Sequence, residues 1–307
     1  MTKHLLKMDD FSGEEIIEVL NLADQLKYEV KHNINNNLLK NKTLGMIFEK
    51  SSTRTRVSFE TGMYQLGGHA LFLSSRDLQI GRGEPINDTA RVLSRYLDCI
   101  MIRTFEQEKV NELAKFSSIP IINGLTDDEH PCQILADLMT IREYKKILKG
   151  LKIAFIGDGN NMAQSFMIAC PKLGIDFSLA CPNGYTPKPE YIEYANKLAD
   201  ENNVTFSLVH SPAEAAKDAD VLITDVWASM GQEDEAERRK IAFTGYQINT
   251  SLLEHAKPNA IVLHCLPAHR EEEITAEVFE AHADEIFDEA ENRLHVQKAV
   301  MVKLVKH

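Results

Sequence analysis

Short apolar runs alternate with helical segments along most of the chain, and no other feature restricts the fold as much. Thr43–Phe48, His69–Leu73, Cys99–Arg103 and Ile119–Ile122 read as strands, with helices predicted from Thr53 to about Leu66 and from Pro85 to Leu97. A helix from Pro131 to about Leu148, stopped by Gly150, leads into a second series. There Lys152–Ile156, Asp176–Ala180, Thr205–Val209, Val221–Val226 and Ala260–Leu263 read as strands. Helices are predicted between them from Asn160 to Leu173, closed by Gly174, and near Pro189–Asn202. Strands that are apolar on both faces and separated by helices form parallel sheets covered by helices. A chain of 307 residues exceeds one ordinary core and fits two such domains.

The sequence therefore predicts an α/β protein with two doubly wound parallel-sheet domains joined by interdomain helices. Ser12 and Glu15 form a capping box ahead of Ile16, Leu20, Ala23, Leu26 and Val30, which sets an amphipathic helix at the start. Ser211-Pro212-Ala213-Glu214 repeats the capping pattern with proline at the first helical position. Leu294, Ala299, Val300, Val302 and Leu304 mark a terminal helix over 291–306, expected to return to the first domain. The predicted division is 1–147 with 290–307, and 148–289.

The chemistry sits where strands end, and in open parallel sheets ligands bind beyond the carboxyl ends of the strands. That coincidence predicts one shared cleft. Ser52-Thr53-Arg54-Thr55-Arg56 follows the apolar run 44–48 and opens a helix. Free backbone N–H groups, the helix dipole, two guanidinium groups and three hydroxyls all suit a phosphate. The net charge is −12, from 34 Lys and Arg against 46 Asp and Glu, so a general nucleic-acid binder is excluded. Positive potential must then be made locally, and clustered arginines carry extra weight.

Arg103 stands at a strand end, and His130-Pro131-Cys132-Gln133 opens a helix with proline at its first position. A histidine at that positively polarised start resists a second charge and donates a neutral hydrogen bond. Gln79 lies in the glycine-containing loop 78–85. Gly157-Asp158-Gly159-Asn160-Asn161-Met162 imitates a dinucleotide fingerprint, but Met162 replaces the third glycine, Asp158 would repel a pyrophosphate, and no acidic ribose hook follows. Asn160 and Asn161 suit an amino-acid head group instead. Asp225 ends a strand ahead of Trp227-Ala228-Ser229-Met230-Gly231 and is placed to hold a cationic amine. His264-Cys265-Leu266-Pro267 follows another strand; His264, Cys265 and His269 are conceivable metal ligands, but no second ligand cluster exists and no metal is expected. Five scattered cysteines without a paired motif suit a reducing compartment. Without a signal-like start or membrane-length apolar run, a cytoplasmic location is expected.

Together these motifs resemble the ornithine carbamoyltransferases over nearly the whole chain. Ser52-Thr53-Arg54-Thr55-Arg56 and His130-Pro131-Cys132-Gln133 are similar to the wider carbamoyltransferase superfamily. Asp225-Val226-Trp227-Ala228-Ser229-Met230-Gly231 and His264-Cys265-Leu266-Pro267 are more specific, since the aspartate enzymes lack the Ser-Met-Gly loop and the cysteine before Leu-Pro. The resemblance implies carbamoyl-phosphate binding by Ser52, Thr53, Arg54, Thr55, Gln79, Arg103, His130, Gln133, Cys265, Leu266 and Arg293. It implies ornithine binding by Asn161, Asp225, Ser229 and Met230, with Arg103, His130, Asp225 and Cys265 catalytic and no cofactor. It also implies a homotrimer or multiple of trimers in which Gln79 reaches a neighbour's site, and a mobile lid carrying Ser229-Met230-Gly231. Arg56 fits an internal pair with Glu60 as well as it fits a ligand. Gly159, where relatives often carry a larger residue, is expected to be inconsequential. The rival readings are transfer to another amine, such as putrescine or an acylated ornithine, and a two-lobed amino-acid binding protein.

Overall fold

The structure, a computed structural model, describes residues 2–306 apart from 77, 80–82 and 229–232. The chain divides into two compact units, Met1–Met139 with Glu291–His307, and Thr140–Ala290.

In the first unit the elements are α1 (Gly13–Lys31), β1 (Thr43–Phe48), α2 (Thr53–Gln65), β2 (His69–Ser74), α3 (Ile86–Leu93), β3 (Cys99–Arg103), α4 (Gln107–Phe116) and β4 (Ile121–Leu125). The helix α5 (Pro131–Lys145) follows and crosses the division. The sheet is parallel throughout, with strand order β2-β1-β3-β4. Ile47, Ile100, Ile102, Val110, Leu113 and Ile121 form its core, and β3 is buried along its full length. Chain order reverses between β1 and β3, so the switch point where ligands bind is the end of those two strands. Ser52 and Arg103 lie there.

The second unit holds β5 (Lys152–Ile156), α6 (Asn161–Lys172), β6 (Asp176–Ala180), α7 (Pro189–Asn202), β7 (Phe206–Val209), α8 (Pro212–Ala216) and β8 (Val221–Thr224). It continues with α9 (Ala236–Ala242), α10 (Thr250–Leu253), β9 (Ile261–His264), α11 (Ala276–Ala281) and the start of α12 (Ala283–Val305). Its sheet is also parallel, ordered β7-β6-β5-β8-β9, with the reversal between β5 and β8. The residues just past those two strands are Gly157-Asp158-Gly159-Asn160 and Asp225. Both sets of unusual motifs therefore fall at a switch point.

Several sequence expectations shift. The fourth strand occupies 121–125 rather than 119–122, because Leu5 pairs with it from the side and extends the hydrogen bonding to Asn123. β8 stops at Thr224, which leaves Asp225 as the first residue beyond it. α3 stops at Leu93, and 94–96 only turn. α4 was not expected; its buried Val110, Leu113 and Ala114 are few among charged neighbours. The terminal helix begins at Ala283, not near 291, with Asp284 and Glu285 favouring its N-terminus. Among the described residues no helix is long and apolar enough to cross a membrane.

Candidate active site

In the first unit, β1 ends and Ser52 takes an extended conformation (φ −161°, ψ 119°) as the N-cap of α2. Its Oγ accepts the Thr55 amide at 3.2 Å, while the first turn of α2 holds no acidic residue. The positive end of this helix is thus left for an external anion. Thr55 is fully buried, and its Oγ1 accepts from Arg293 Nη2 at 3.0 Å and Arg103 Nη1 at 3.5 Å. Arg293 Nη1 donates to Gln133 Oε1 at 2.6 Å, and Gln133 Nε2 donates to Asp137 Oδ1 at 2.8 Å. Four chain segments thereby converge: the start of α2, the end of β3, the start of α5 and the middle of α12. The Arg103 carbonyl accepts the Glu49 amide at 2.9 Å, which ties the chain leaving β1 to the end of β3.

Arg293 corrects the sequence reading. It does not lie in the first turn of the last helix but well inside α12, where it is buried. His130, also buried, sits just before Pro131 at the start of α5. Its pKa lies well below the ordinary histidine value of 6.5, first because of burial and then because Arg293, Arg103 and Arg54 repel a proton. His130 is therefore neutral at physiological pH, as the sequence predicts. The folded state binds fewer protons than the unfolded state below 6.5, so stability is lost as pH falls through that value. A ¹⁵N-histidine titration should find the His130 ring still neutral at pH 6.5, where an ordinary histidine is half protonated. Protonation at the ordinary value would contradict this environment.

Arg56 takes the internal alternative: Nε lies 3.4 Å from Glu60 Oε2, with the guanidinium 3.8 Å from the Phe72 ring centre. It nevertheless lines a cavity of about 560 Å³ together with Lys50, Ser52, Thr53 and Arg76. Gln79 is exposed and is not brought to the arginine cluster.

The second unit assembles its site around Asp225. Oδ1 accepts the Val226 amide at 2.8 Å and the Cys265 thiol at 3.1 Å, and Oδ2 accepts Asn160 Nδ2 at 2.9 Å. Asn160 also caps α6, its Oδ1 accepting from Met162 and Ala163. The sequence offers Asn160 and Asn161 together for an amino-acid head group, and the resemblance names Asn161; it is Asn160 that bonds Asp225, with Asn161 half-buried one position on. A capping asparagine at a switch point was the available signal. Ser229 and Met230 lie outside the described residues.

Cys265 is the half-buried cysteine; the other four are buried, and burial pushes Cys132 and Cys181 each up to about 12. His264 is no metal ligand, since its Nε2 bonds Glu273 at 2.9 Å and its Nδ1 accepts the Leu266 amide at 2.9 Å. Leu266 adopts a left-handed φ of 59° there. Among the described residues, His269, Glu272 and Glu273 are the potential ligands whose donor atoms gather, within 4.8 Å, and they exclude Cys265.

Gly159 overturns its expectation. A Cβ there would stand 2.3 Å from the Pro187 nitrogen and 2.6 Å from the Thr186 carbonyl carbon, and its amide donates to Tyr185 O at 2.9 Å. Gly159→Ala should lower the melting temperature by roughly 3–10 °C and weaken amino-acid binding by displacing Asn160. An unchanged melting curve would show that the 185–187 backbone yields freely.

Residues 3–143 match the carbamoyl-P binding domain of aspartate/ornithine carbamoyltransferases, and residues 149–304 match the Asp/Orn binding domain. The chain belongs to the aspartate/ornithine carbamoyltransferase family. The ornithine carbamoyltransferase of Anoxybacillus flavithermus is 57% identical over 303 residues, covering 99% of this chain and 96% of that protein. The solved enzyme from Pyrococcus furiosus superposes with a TM-score of 0.93 at 52% identity, covering 98% and 96% of the two chains. An anabolic ornithine carbamoyltransferase from Campylobacter jejuni also gives 0.93, at 48% identity and 98% coverage of each. Within this family Arg54, Arg103 and His130 fall in the half described as binding carbamoyl phosphate, while Asp225 and Arg293 fall in the half described as binding aspartate or ornithine.

Proposed function

We propose that the chain transfers the carbamoyl group of carbamoyl phosphate to the δ-amine of L-ornithine, giving L-citrulline and phosphate. The observation that carries this reading is the convergence of Arg103, Arg293, Thr55 and a neutral His130 on an acid-free helix start. Ser52, Thr53, Arg54 and Thr55 bind the phosphate. Thr55, Arg103 and His130 face the developing negative charge on the carbonyl oxygen, at about 3 kcal/mol for each donor in an oxyanion role. Gln133 holds the carbamoyl amine, its side chain already oriented by Arg293 and Asp137. Leu266 completes the carbamoyl end, and Asn161, Asp225, Ser229 and Met230 hold the ornithine head group.

The acceptor must attack as a neutral amine, and with a pKa near ~10.4 only about a thousandth is neutral at pH 7. Asp225 and Cys265 supply the charge environment that stabilises the bound cation and orients its deprotonated form. The amine nitrogen bonds to the carbonyl carbon, the C–O bond to phosphate breaks, and the leaving phosphate takes the surplus proton. No cofactor enters this balance. Cleavage of a mixed anhydride favours citrulline formation, which fits arginine biosynthesis in the cytoplasm. Assay of ornithine, putrescine, N-acetylornithine and aspartate as acceptors tests the reading: ornithine should exceed every other amine at least about a hundredfold in kcat/KM. A preference for putrescine would move the protein to a different acceptor class.

We also propose a homotrimer, or a multiple of trimers. The edge strand β2 exposes Leu71 and Phe72, and α2, which packs against it, exposes Val57 and Tyr64, apolar side chains that suit a second copy. In that assembly Gln79 serves the neighbouring site. Hybrids of Gln79→Ala and Arg54→Gly chains should then regain activity that neither parent has. Hybrids that form yet stay inactive would rule out sharing.

A further inference from the structure

Asp158 and Arg239 have no part in the chemistry above, yet they form a buried ion pair beside it. Arg239 Nη1 lies 2.7 Å from Asp158 Oδ2 and donates to the Trp227 carbonyl at 2.9 Å. Its Nε reaches Glu235 Oε2 at 3.2 Å, and its guanidinium lies 5.0 Å from the centre of the Tyr185 ring. Arg239 thus grips the chain before and after positions 229–232. Trp227, the only tryptophan, stacks on Phe243 with ring centres 5.9 Å apart.

Asp158 follows β5 and Asp225 follows β8, so two carboxylates stand at the same switch point. Burial raises the Asp158 carboxyl, Arg239 opposes that, and Asp225 adds a like-charge repulsion. Their partners differ in kind. Asp158 has a guanidinium, whereas the hydrogen bonds recorded for Asp225 come from a backbone amide, a side-chain amide and a thiol, all neutral. A carboxylate with neutral donors still has its charge to offer a substrate ammonium, while a paired one does not.

We infer that Arg239 is a positioning residue for amino-acid binding: by pairing Asp158 it makes Asp225 the carboxylate that takes the substrate's ammonium group, and through the Trp227 carbonyl it fixes the backbone that follows Asp225. This rests on the reading of the second unit as the ornithine site. Removing either member unbalances the site in opposite senses. Arg239→Gln leaves Asp158 as a second carboxylate competing for the cation. Asp158→Asn releases a guanidinium that turns on Asp225 and competes with the substrate. Removing both restores the count.

The test is a double-mutant cycle read by steady-state kinetics and by Trp227 emission during ornithine titration. Each single variant should raise the ornithine KM at least about tenfold, with kcat within about threefold and the carbamoyl-phosphate KM within about twofold. The double variant, which leaves neither member of the pair buried without the other and is expected to fold even where a single one does not, should recover at least about threefold of the loss. The ornithine-induced emission change should shift to higher concentration in parallel. Single variants with unchanged ornithine KM, equal losses for both substrates, or a double variant no better than the singles would each overturn the inference. A parent enzyme that fails to make citrulline would instead sink the proposed reaction, so the two failures are distinguishable.

Discussion

Arg54→Gly should cut turnover by about 10²–10³-fold and weaken carbamoyl-phosphate binding to a similar extent, because a charged donor to a desolvated phosphate is lost. Arg54 stands in the first turn of α2, where Ser52 caps the helix and no carboxylate competes for the anion. The glycine itself costs the helix only about 1 kcal/mol, so the fold should survive. Loss should appear in kcat and in carbamoyl-phosphate affinity alike, since the same guanidinium serves ground state and transition state. Arg103 and Arg293 approach the buried Thr55 hydroxyl from the end of β3 and from α12, so neither replaces a guanidinium in the first turn of α2. Near-normal kinetics would mean that the phosphate binds elsewhere.

Asp225→Asn should have the second large effect and act on the other substrate. The substitution keeps the shape but removes the charge that three neutral donors leave available. The ornithine KM should rise about 10²–10³-fold, the usual cost of removing one partner from a desolvated charge pair, while carbamoyl-phosphate affinity stays within about threefold. Equal loss of both substrates would mean that Asp225 does not serve the amino acid alone. Cys265→Ala, which removes only the thiol donor at 3.1 Å, should be milder and confined to ornithine turnover.

Much of this site was legible because parallel sheets put their ligands at strand ends. Ser52, Arg103 and Asp225 could be located from apolar runs alone, since a buried strand that breaks into polar residues marks its own carboxyl end. Arg293 was harder. The early turns of α12 are acidic and offer no apolar stripe, so the sequence set its start too late and put Arg293 near a helix end rather than inside the helix. Its contact with Thr55 spans 238 positions, a distance that no local pattern encodes. Gly159 was misjudged, and Asn160 was not singled out from Asn161, for a related reason. The role of each depends on a partner from another element, Asp225 for one and the 185–187 backbone for the other. The Asp158–Arg239 pair was invisible because its members lie 81 positions apart and no local pattern links them.

The central claim is that the first unit captures a small phosphorylated dianion through a concentrated positive pocket in an otherwise acidic protein. Isothermal titration of the folded protein with carbamoyl phosphate alone tests it most directly. Saturable heat at one site per chain, weakened by added salt and abolished in Arg54→Gly, is the predicted result. No heat from the intact protein, or unaltered binding in that variant, would contradict it.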